Sequence, residues 1–369
     1  MSAKKIVKTL EFKIVITVIA IVIIGIIALI SATSGLDESF SDVKKQCISF
    51  GVGLILMALI SLIDYELYGR YWYIPYVICV GLLIGVLYTE PINNATSWFK
   101  LGGFSFQPSE FAKLVMIIVA ARFLSNLKER NISYKGLLIQ MLYLAALLAV
   151  PIFLILIQPD FGTAMVFCVS IFAMFFIWGL DYRIIKYGAL ALAGLAPIVY
   201  MFFLKPGQKE RIRVFFNPSI DPTGSGYNVL QARLAVGSGQ FWGMGLFEGT
   251  QTQMGFLPAK TTDFIFSVIA EEMGFIVATI LIILLIVLVL QCFVVARNAD
   301  TFTGTLIATG IGVMFLFHIL VNIGMNMGIV PVTGIPLPFV SYGGSSLLTN
   351  LIAIGIVLSI SFRKKRLNF

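Results

Sequence analysis

The chain has 369 residues, 59% of them hydrophobic and only 12% charged, with a mean hydropathy of +0.97. A water-soluble domain cannot bury that much apolar surface, so composition excludes one and predicts an integral membrane protein. The net charge of +8 does not point to nucleic acid, because the basic residues follow a membrane pattern and form no single patch.

A transmembrane helix takes about 20 mostly apolar residues. Ten stretches qualify: 13–33, 46–63, 71–88, 108–127, 137–157, 161–180, 184–204, 266–293, 302–326 and 345–362. The first has no small-residue cleavage site and is expected to be a retained helix. With both termini inside, sixteen of the 26 Lys and Arg fall in inner segments. Three (Lys44, Lys45, Lys100) fall in short outer loops, six in one long outer loop, and Lys113 within a span. This asymmetry is the positive-inside pattern. The expected fold class is an all-α integral membrane protein with about ten transmembrane helices and both termini cytoplasmic. Residues 1–369 form a single polytopic domain, with a large extracellular loop at 205–263 between spans seven and eight.

The fourth span opens with "QPSEFAK". Pro108 suits a first helical turn. Glu110 and Lys113, three apart, share a face and can pair. The pair reads either as a structural ion pair or as the lining of a polar cavity, since charges at this depth face protein or water. The sixth span opens with "QPDFGT", which puts Asp160 at a similar depth near the outer face. A carboxylate there suits a helix cap as well as a functional role.

The insertion 205–263 is rich in Gly, Pro and basic residues, among them Lys209, Arg211, Arg213, Arg233 and Lys260. A segment this long without a span is usually functional or disordered. Its stretch "VLQARLAVGSGQFWGMGLF" is expected to lie on the membrane surface or dip into it. Asp263 then opens the eighth span behind Thr261 and Thr262, and any of the three suits a helix cap. Helical geometry sets Glu271 about 80° and Glu272 about 180° round from Asp263, so one of them can share its interior. Gly274 falls near the Asp263 face and suits close helix approach.

On the ninth span His318, Asn322 and Asn326 form a polar stripe, expected to hydrogen-bond between helices. The following "GIPLPFVSYGGSS" favours non-helical backbone. Its Gly343–Ser346 run, which includes Ser345, is either a tight turn or an anion-binding helix start. The four cysteines lack metal-ligand spacing and read as apolar fillers. One histidine argues against a Ser-His-Asp triad or a multi-His metal site. There is no Walker motif and no dinucleotide fingerprint.

The polar features gather at the outer half of the membrane, where ATP is not available. A substrate there should carry its own activation, as a lipid-linked pyrophosphate does. Its charge suits the Lys and Arg cluster and its tail suits the bilayer.

The motifs "FQPSEFAKL", "QPDFGTA", "NPSIDPTGSGYNVLQARLAVGSG", "GFLPAKTTDFIFSVIAEEMG" and "GIPLPFVSYGGSS" resemble those of the shape, elongation, division and sporulation (SEDS) family, in order and over nearly the whole chain. The short tails and "GTQTQMGFLP" look more like its RodA elongation branch than its FtsW division branch. The resemblance implies a ten-span peptidoglycan glycosyltransferase for cell elongation and shape, polymerising lipid II on the outer face of the bacterial cytoplasmic membrane. It implies a class B penicillin-binding protein as partner, besides lipid II, the undecaprenyl-pyrophosphate-linked glycan and membrane lipids. The family's essential aspartate falls on Asp263, the expected catalytic base. Glu110, Lys113 and Asp160 match further family positions. With Trp98, Lys260, Arg211, Arg213 and Ser345 they form the expected substrate-binding set. A divalent cation, magnesium or manganese, held by Asp263 is the alternative to basic residues for stabilising the pyrophosphate. One departure is Ser97 before Trp98, where many members have Arg; Lys100 or the long loop would then take that contact. The competing class is a lipid flippase, for which polar groups should line a path through both leaflets. A scaffold that only recruits the transpeptidase is a third class.

Overall fold

The computed structural model describes residues 3–34, 39–90, 96–101, 104–129, 134–183, 206–217, 220–221 and 224–363, with isolated positions between 186 and 201. In chain order the helices are α1 (Ala3–Thr33), α2 (Ser39–Leu62), α3 (Tyr65–Arg70), α4 (Tyr73–Gly85), α5 (Pro108–Glu129), α6 (Tyr134–Ile157) and α7 (Phe161–Trp178). Then come α8 (Pro206–Phe216), α9 (Ser225–Ser238), α10 (Thr250–Gln253), α11 (Ile265–Arg297), α12 (Phe302–Asn326) and α13 (Gly344–Phe362).

Seven of these, α1, α2, α6, α7, α11, α12 and α13, are long and apolar enough to cross a membrane. Helices answer that environment because each satisfies its own backbone polar groups where no water can. The chain is a multi-pass membrane protein. The fourth predicted span is α5, which carries Glu110, Lys113 and Arg122. It is buried without interruption from Ala112 to Ala121, packed by α4, α6, α7 and α12, so its inner charges face protein and not lipid. The third predicted span is α4 followed by a 3-10 turn, Val86–Tyr88. The seventh, 184–204, lies almost wholly outside the described residues.

Two features differ from the sequence reading. Ahead of α5 the chain forms a small antiparallel hairpin, β1 (Phe99–Leu101) with β2 (Phe104–Phe106), in which Phe99 pairs with Phe106. The 205–263 segment carries helices of its own, α8, α9 and α10, of which α9 packs along α11, while Phe241 and Trp242 of the stretch expected at the membrane surface are exposed.

The contact that fixes this segment is backbone on backbone. A Cβ at Gly239 would stand 1.8 Å from the Ala270 carbonyl oxygen, and one at Gly243 2.2 Å from that of Glu272. Opposite them α11 breaks at Gly274 (φ 75°, ψ −179°), a conformation that only glycine adopts readily. The groups released by the break find partners in the segment. Met244 N donates to Glu271 O (2.9 Å) and Gly245 N to Glu272 O (3.1 Å). Phe275 N donates to Gln240 O (2.8 Å) and Ile276 N to Phe241 O (3.3 Å). Gly274 therefore admits a loop, where the sequence suggested a neighbouring helix.

Candidate active site

Asp263 lies in the turn that precedes α11, not on the helix. The N-cap position is Phe264, with no side-chain cap, so neither Asp263 nor its threonines caps this helix. Asn326, 59 residues away, does so: its Oδ1 accepts from Ser267 N (3.1 Å) and Ser267 Oγ (2.6 Å). Because the helix starts beyond Asp263, the wheel angles relating it to Glu271 and Glu272 do not apply.

Three successive carbonyls hold the Thr261–Asp263 turn. Thr261 O accepts from Tyr342 N (2.9 Å) and Thr262 O from Ser341 Oγ (2.6 Å). Asp263 O accepts from Nδ2 of both Asn322 and Asn326 (3.0 Å each). Asn322 Nδ2 also donates to Ile335 O (2.8 Å). The stripe on α12 thus bonds neighbouring helices as expected, through Asn326 to Ser267 of α11 and His318 to Lys113 of α5, and it also binds loop carbonyls. The 341–343 turn is anchored in its own right by α2. Gln46 Nε2 donates to Ser341 O and Gln46 Oε1 accepts from Gly343 N, both at 3.2 Å. Tyr342 Oη donates to Asp42 Oδ1 (3.0 Å).

This cradle leaves the Asp263 side chain half-buried, with Oδ2 beside Gly334, where an added Cβ would come within 3.8 Å. Burial pushes its carboxyl above the ordinary aspartate range, while Arg211 and a hydrogen bond from Thr262 pull it back. A raised carboxyl pKa is the direction that makes an aspartate a better proton acceptor. Arg211, on α8, donates from Nη1 to Val332 O at 3.4 Å, two residues from Gly334.

Deeper in the bundle, Lys113 Nζ stands 2.7 Å from Glu110 Oε1, and both side chains are buried. The pairing expected from their spacing is therefore present. His318 Nε2 lies 2.9 Å from the same ammonium, and His318 Nδ1 lies 3.1 Å from Pro336 O. An ammonium only donates, so Nε2 accepts and Nδ1 carries the proton toward the carbonyl. The pair is thereby tied to α12 and to the 335–337 segment that flanks the Asp263 cradle. Removing one partner would strand a buried charge, at a cost of about 3–5 kcal/mol.

The remaining expected residues divide between framework and surface. Asp160 caps α7: its Oδ1 accepts from Thr163 N (3.1 Å). Its Oδ2 accepts from Gln107 Nε2 (3.0 Å) and Ser109 Oγ (3.1 Å), which joins the starts of α5 and α7. Ser345 Oγ donates to Ser105 O (2.8 Å) and accepts from Gln107 N (3.3 Å), so its hydroxyl fixes the hairpin. Lys260 Nζ donates to Thr252 O (2.8 Å); burial lowers its pKa, and Glu272 opposes that shift. Trp98 is half-buried beside the hairpin, and Arg213 is exposed on α8. At the departure position, buried Ser97 donates to Gln158 O (3.1 Å).

Glu271 and Glu272 are framework. Glu271, fully buried, accepts from Gln251 N (2.7 Å), Thr252 N (3.0 Å) and Thr252 Oγ1 (2.7 Å). Glu272 accepts from Gln253 Nε2 (2.7 Å). Together they tie α10 to α11. Among the described residues no group of three or more His, Cys, Asp or Glu is placed to hold a metal ion. A magnesium or manganese ion at Asp263 would take one carboxylate from the chain and its other ligands from substrate phosphates and water, which magnesium accepts.

The model of the family described as "Cell cycle protein", comprising FtsW, RodA and SpoVE, matches residues 10–366. Peptidoglycan glycosyltransferase MrdB of Escherichia coli K12 is 34% identical over 337 residues, 91% of this chain and 90% of that protein. Stage V sporulation protein E of Bacillus subtilis is 37% identical over 360 residues, 95% of this chain and 96% of that protein. A solved structure described as "Structural coordination of polymerization and crosslinking by a peptidoglycan synthase complex" superposes with a TM-score of 0.81 at 31% identity, over 96% of this chain and 98% of that one. Matched across nearly its whole length in sequence and in fold, the chain belongs to the FtsW/RodA/SpoVE family.

Proposed function

We propose that the chain is a peptidoglycan glycosyltransferase that polymerises lipid II on the outer face of the bacterial cytoplasmic membrane, in cell elongation and shape. Its relative MrdB bears that activity in its name. The observation that carries the reading is the Asp263 cradle: a half-buried carboxylate beside Arg211, on backbone held at three consecutive carbonyls.

In the reaction, the donor is the growing glycan on undecaprenyl pyrophosphate and the acceptor is the sugar 4-hydroxyl of lipid II. Asp263 takes the hydroxyl proton as the oxygen bonds to the donor's C1. The bond from C1 to the pyrophosphate oxygen breaks, its electron pair stays with that oxygen, and undecaprenyl pyrophosphate departs. A divalent cation, if bound with the phosphates at Asp263, would add positive charge at the same oxygen.

The family resemblance counts Lys113 among the substrate-binding residues. With Glu110 at 2.7 Å and His318 at 2.9 Å, its charge is compensated and its donors are directed inward. Glu110 and Lys113 act instead by positioning the segment that flanks Asp263. Asp160, Ser345 and Lys260 brace the surrounding walls. Trp98 offers an indole face to a sugar ring, and Arg213 a further outer charge.

By analogy with the synthase complex, the product is crosslinked by a partner transpeptidase, a class B penicillin-binding protein. The grouping of the site's charged and amide groups toward one end favours a polymerase over a flippase: on α12, His318 is eight residues, about 12 Å, from Asn326. The test is to supply the purified chain and its transpeptidase with lipid II. A ladder of glycan polymer supports the reading; movement of lipid II across vesicles without any polymer would sink it.

A further inference from the structure

We propose that the cleft between α8, α9 and residues 328–332 is the site of the departing polyprenyl pyrophosphate, with Arg211 and Arg233 as its ligands. This rests on the glycosyltransferase reading and assigns a place for one of its two lipid-linked substrates.

Arg211, Val214 and Phe215 of α8, Val229 and Arg233 of α9, and Gly328 with residues 330–332 line the cleft, which is shallow and open to the surface. The 328–332 segment supports both guanidinium groups. Arg233 lies flat on Gly328, where a Cβ would stand 2.7 Å from Nε, and Arg211 donates to Val332 O. Two residues further on, Gly334 meets the Asp263 carboxylate. The cleft and the candidate base are thus two ends of one short stretch of backbone.

Charge separates this cleft from the other cationic centre. Lys113 is neutralised by Glu110. Among the described residues neither Arg211 nor Arg233 is in an ion pair, and both are exposed. A pyrophosphate is therefore drawn to the arginines and not to the buried lysine. Guanidinium groups suit it because they donate in a planar fork.

The chemistry decides which pyrophosphate this is. The leaving group is bonded to the very carbon that the hydroxyl attacks, so it must lie next to the base. The acceptor's own pyrophosphate is two sugars farther off. The cleft adjoining Asp263 therefore takes the donor's. Its apolar walls, Val214, Phe215, Val229 and Val330, suit the first isoprenoid units that follow the phosphates.

The test compares wild type with Arg233→Gln, Arg211→Gln and Arg233→Lys, each assayed as the full chain with its transpeptidase. Polymerisation is inhibited with undecaprenyl pyrophosphate or inorganic pyrophosphate, and binding of each is read by thermal stabilisation. Loss of one charged hydrogen-bonding partner should weaken inhibition by either compound about ten- to a hundredfold and lower kcat more than it raises KM for lipid II. Arg233→Lys should recover part of the loss, and melting temperatures without ligand should stay close to wild type. Tighter binding of the lipid form than of inorganic pyrophosphate supports the apolar walls; equal binding overturns that part. Wild-type inhibition in both glutamine variants, with normal polymerisation, overturns the site while leaving the glycosyltransferase reading intact. A wild-type chain that makes no polymer overturns the reading and the site together.

Discussion

Asn326 does two jobs that mutation can separate. Its Nδ2 donates to Asp263 O (3.0 Å) and Asn322 O (2.8 Å), while its Oδ1 accepts both Ser267 N (3.1 Å) and Ser267 Oγ (2.6 Å). Asn326→Ala strands Ser267 Oγ in a buried site, at roughly 1–3 kcal/mol, while Ser267 N keeps its bond to Phe264 O (3.0 Å). It also leaves Asp263 O with Asn322 alone. A shift of about 1 Å in a reacting group can cost on the order of a hundredfold in rate. Ser267→Ala removes one donor, costs about 1 kcal/mol, and leaves the Asp263 anchor in place. The assay pairs thermal unfolding in detergent with the initial rate of lipid II polymerisation. Asn326→Ala should lose both stability and rate, whereas Ser267→Ala should lose a little stability and keep its rate. Wild-type polymerisation by Asn326→Ala, or equal rate losses in both variants, would refute the idea that the α12 stripe sets the geometry of Asp263.

Other expectations follow from the same contacts. Glu271→Ala leaves the Gln251 and Thr252 amides without their acceptor, so it should lower the melting temperature and speed proteolysis between residues 239 and 256; unchanged cleavage would contradict the clasp. Glu110→Gln strands the Lys113 charge and should destabilise by about 3–5 kcal/mol. Adding Lys113→Met should recover much of that, and thermal melting of the single and double variants measures the recovery. Asp263 as a base is active when ionised, so the rate should fall as pH drops through a pKa that burial has raised above the ordinary value of about 3.9. Arg211→Gln removes a charge that holds this carboxyl down, so the acid limb of the pH–rate profile should move to higher pH. A limb that stays in place would separate Arg211 from Asp263.

The spans could be read because lipid imposes a simple rule: every backbone group is bonded within an apolar helix, and hydropathy records where. The Glu110–Lys113 pair could be read because it depends on a spacing of three. Asn322 and Asn326 stood out as a stripe, but their partner at Asp263 is 59 residues or more away, and no local pattern announces a bond to a distant carbonyl. Gln46 was hidden for the same reason, since it meets the 341–343 turn across nearly 300 residues. The break in α11 was hidden in a different way. A single glycine in an apolar run reads as a tolerated residue, and only the approach of residues 239–245 shows that Gly274 must leave the helical conformation. The short hairpin before α5 has strands of three residues, too brief for an alternating pattern to show.

Asp263 is the centre of the account, and its carboxylate can be replaced with almost no change of shape. The direct measurement is polymerisation of lipid II by Asp263→Asn against wild type, each purified with its transpeptidase and shown to melt alike. The account predicts a glycan ladder from wild type and none from the variant. Polymer from Asp263→Asn at the wild-type rate would remove the carboxylate from the chemistry and contradict the assignment.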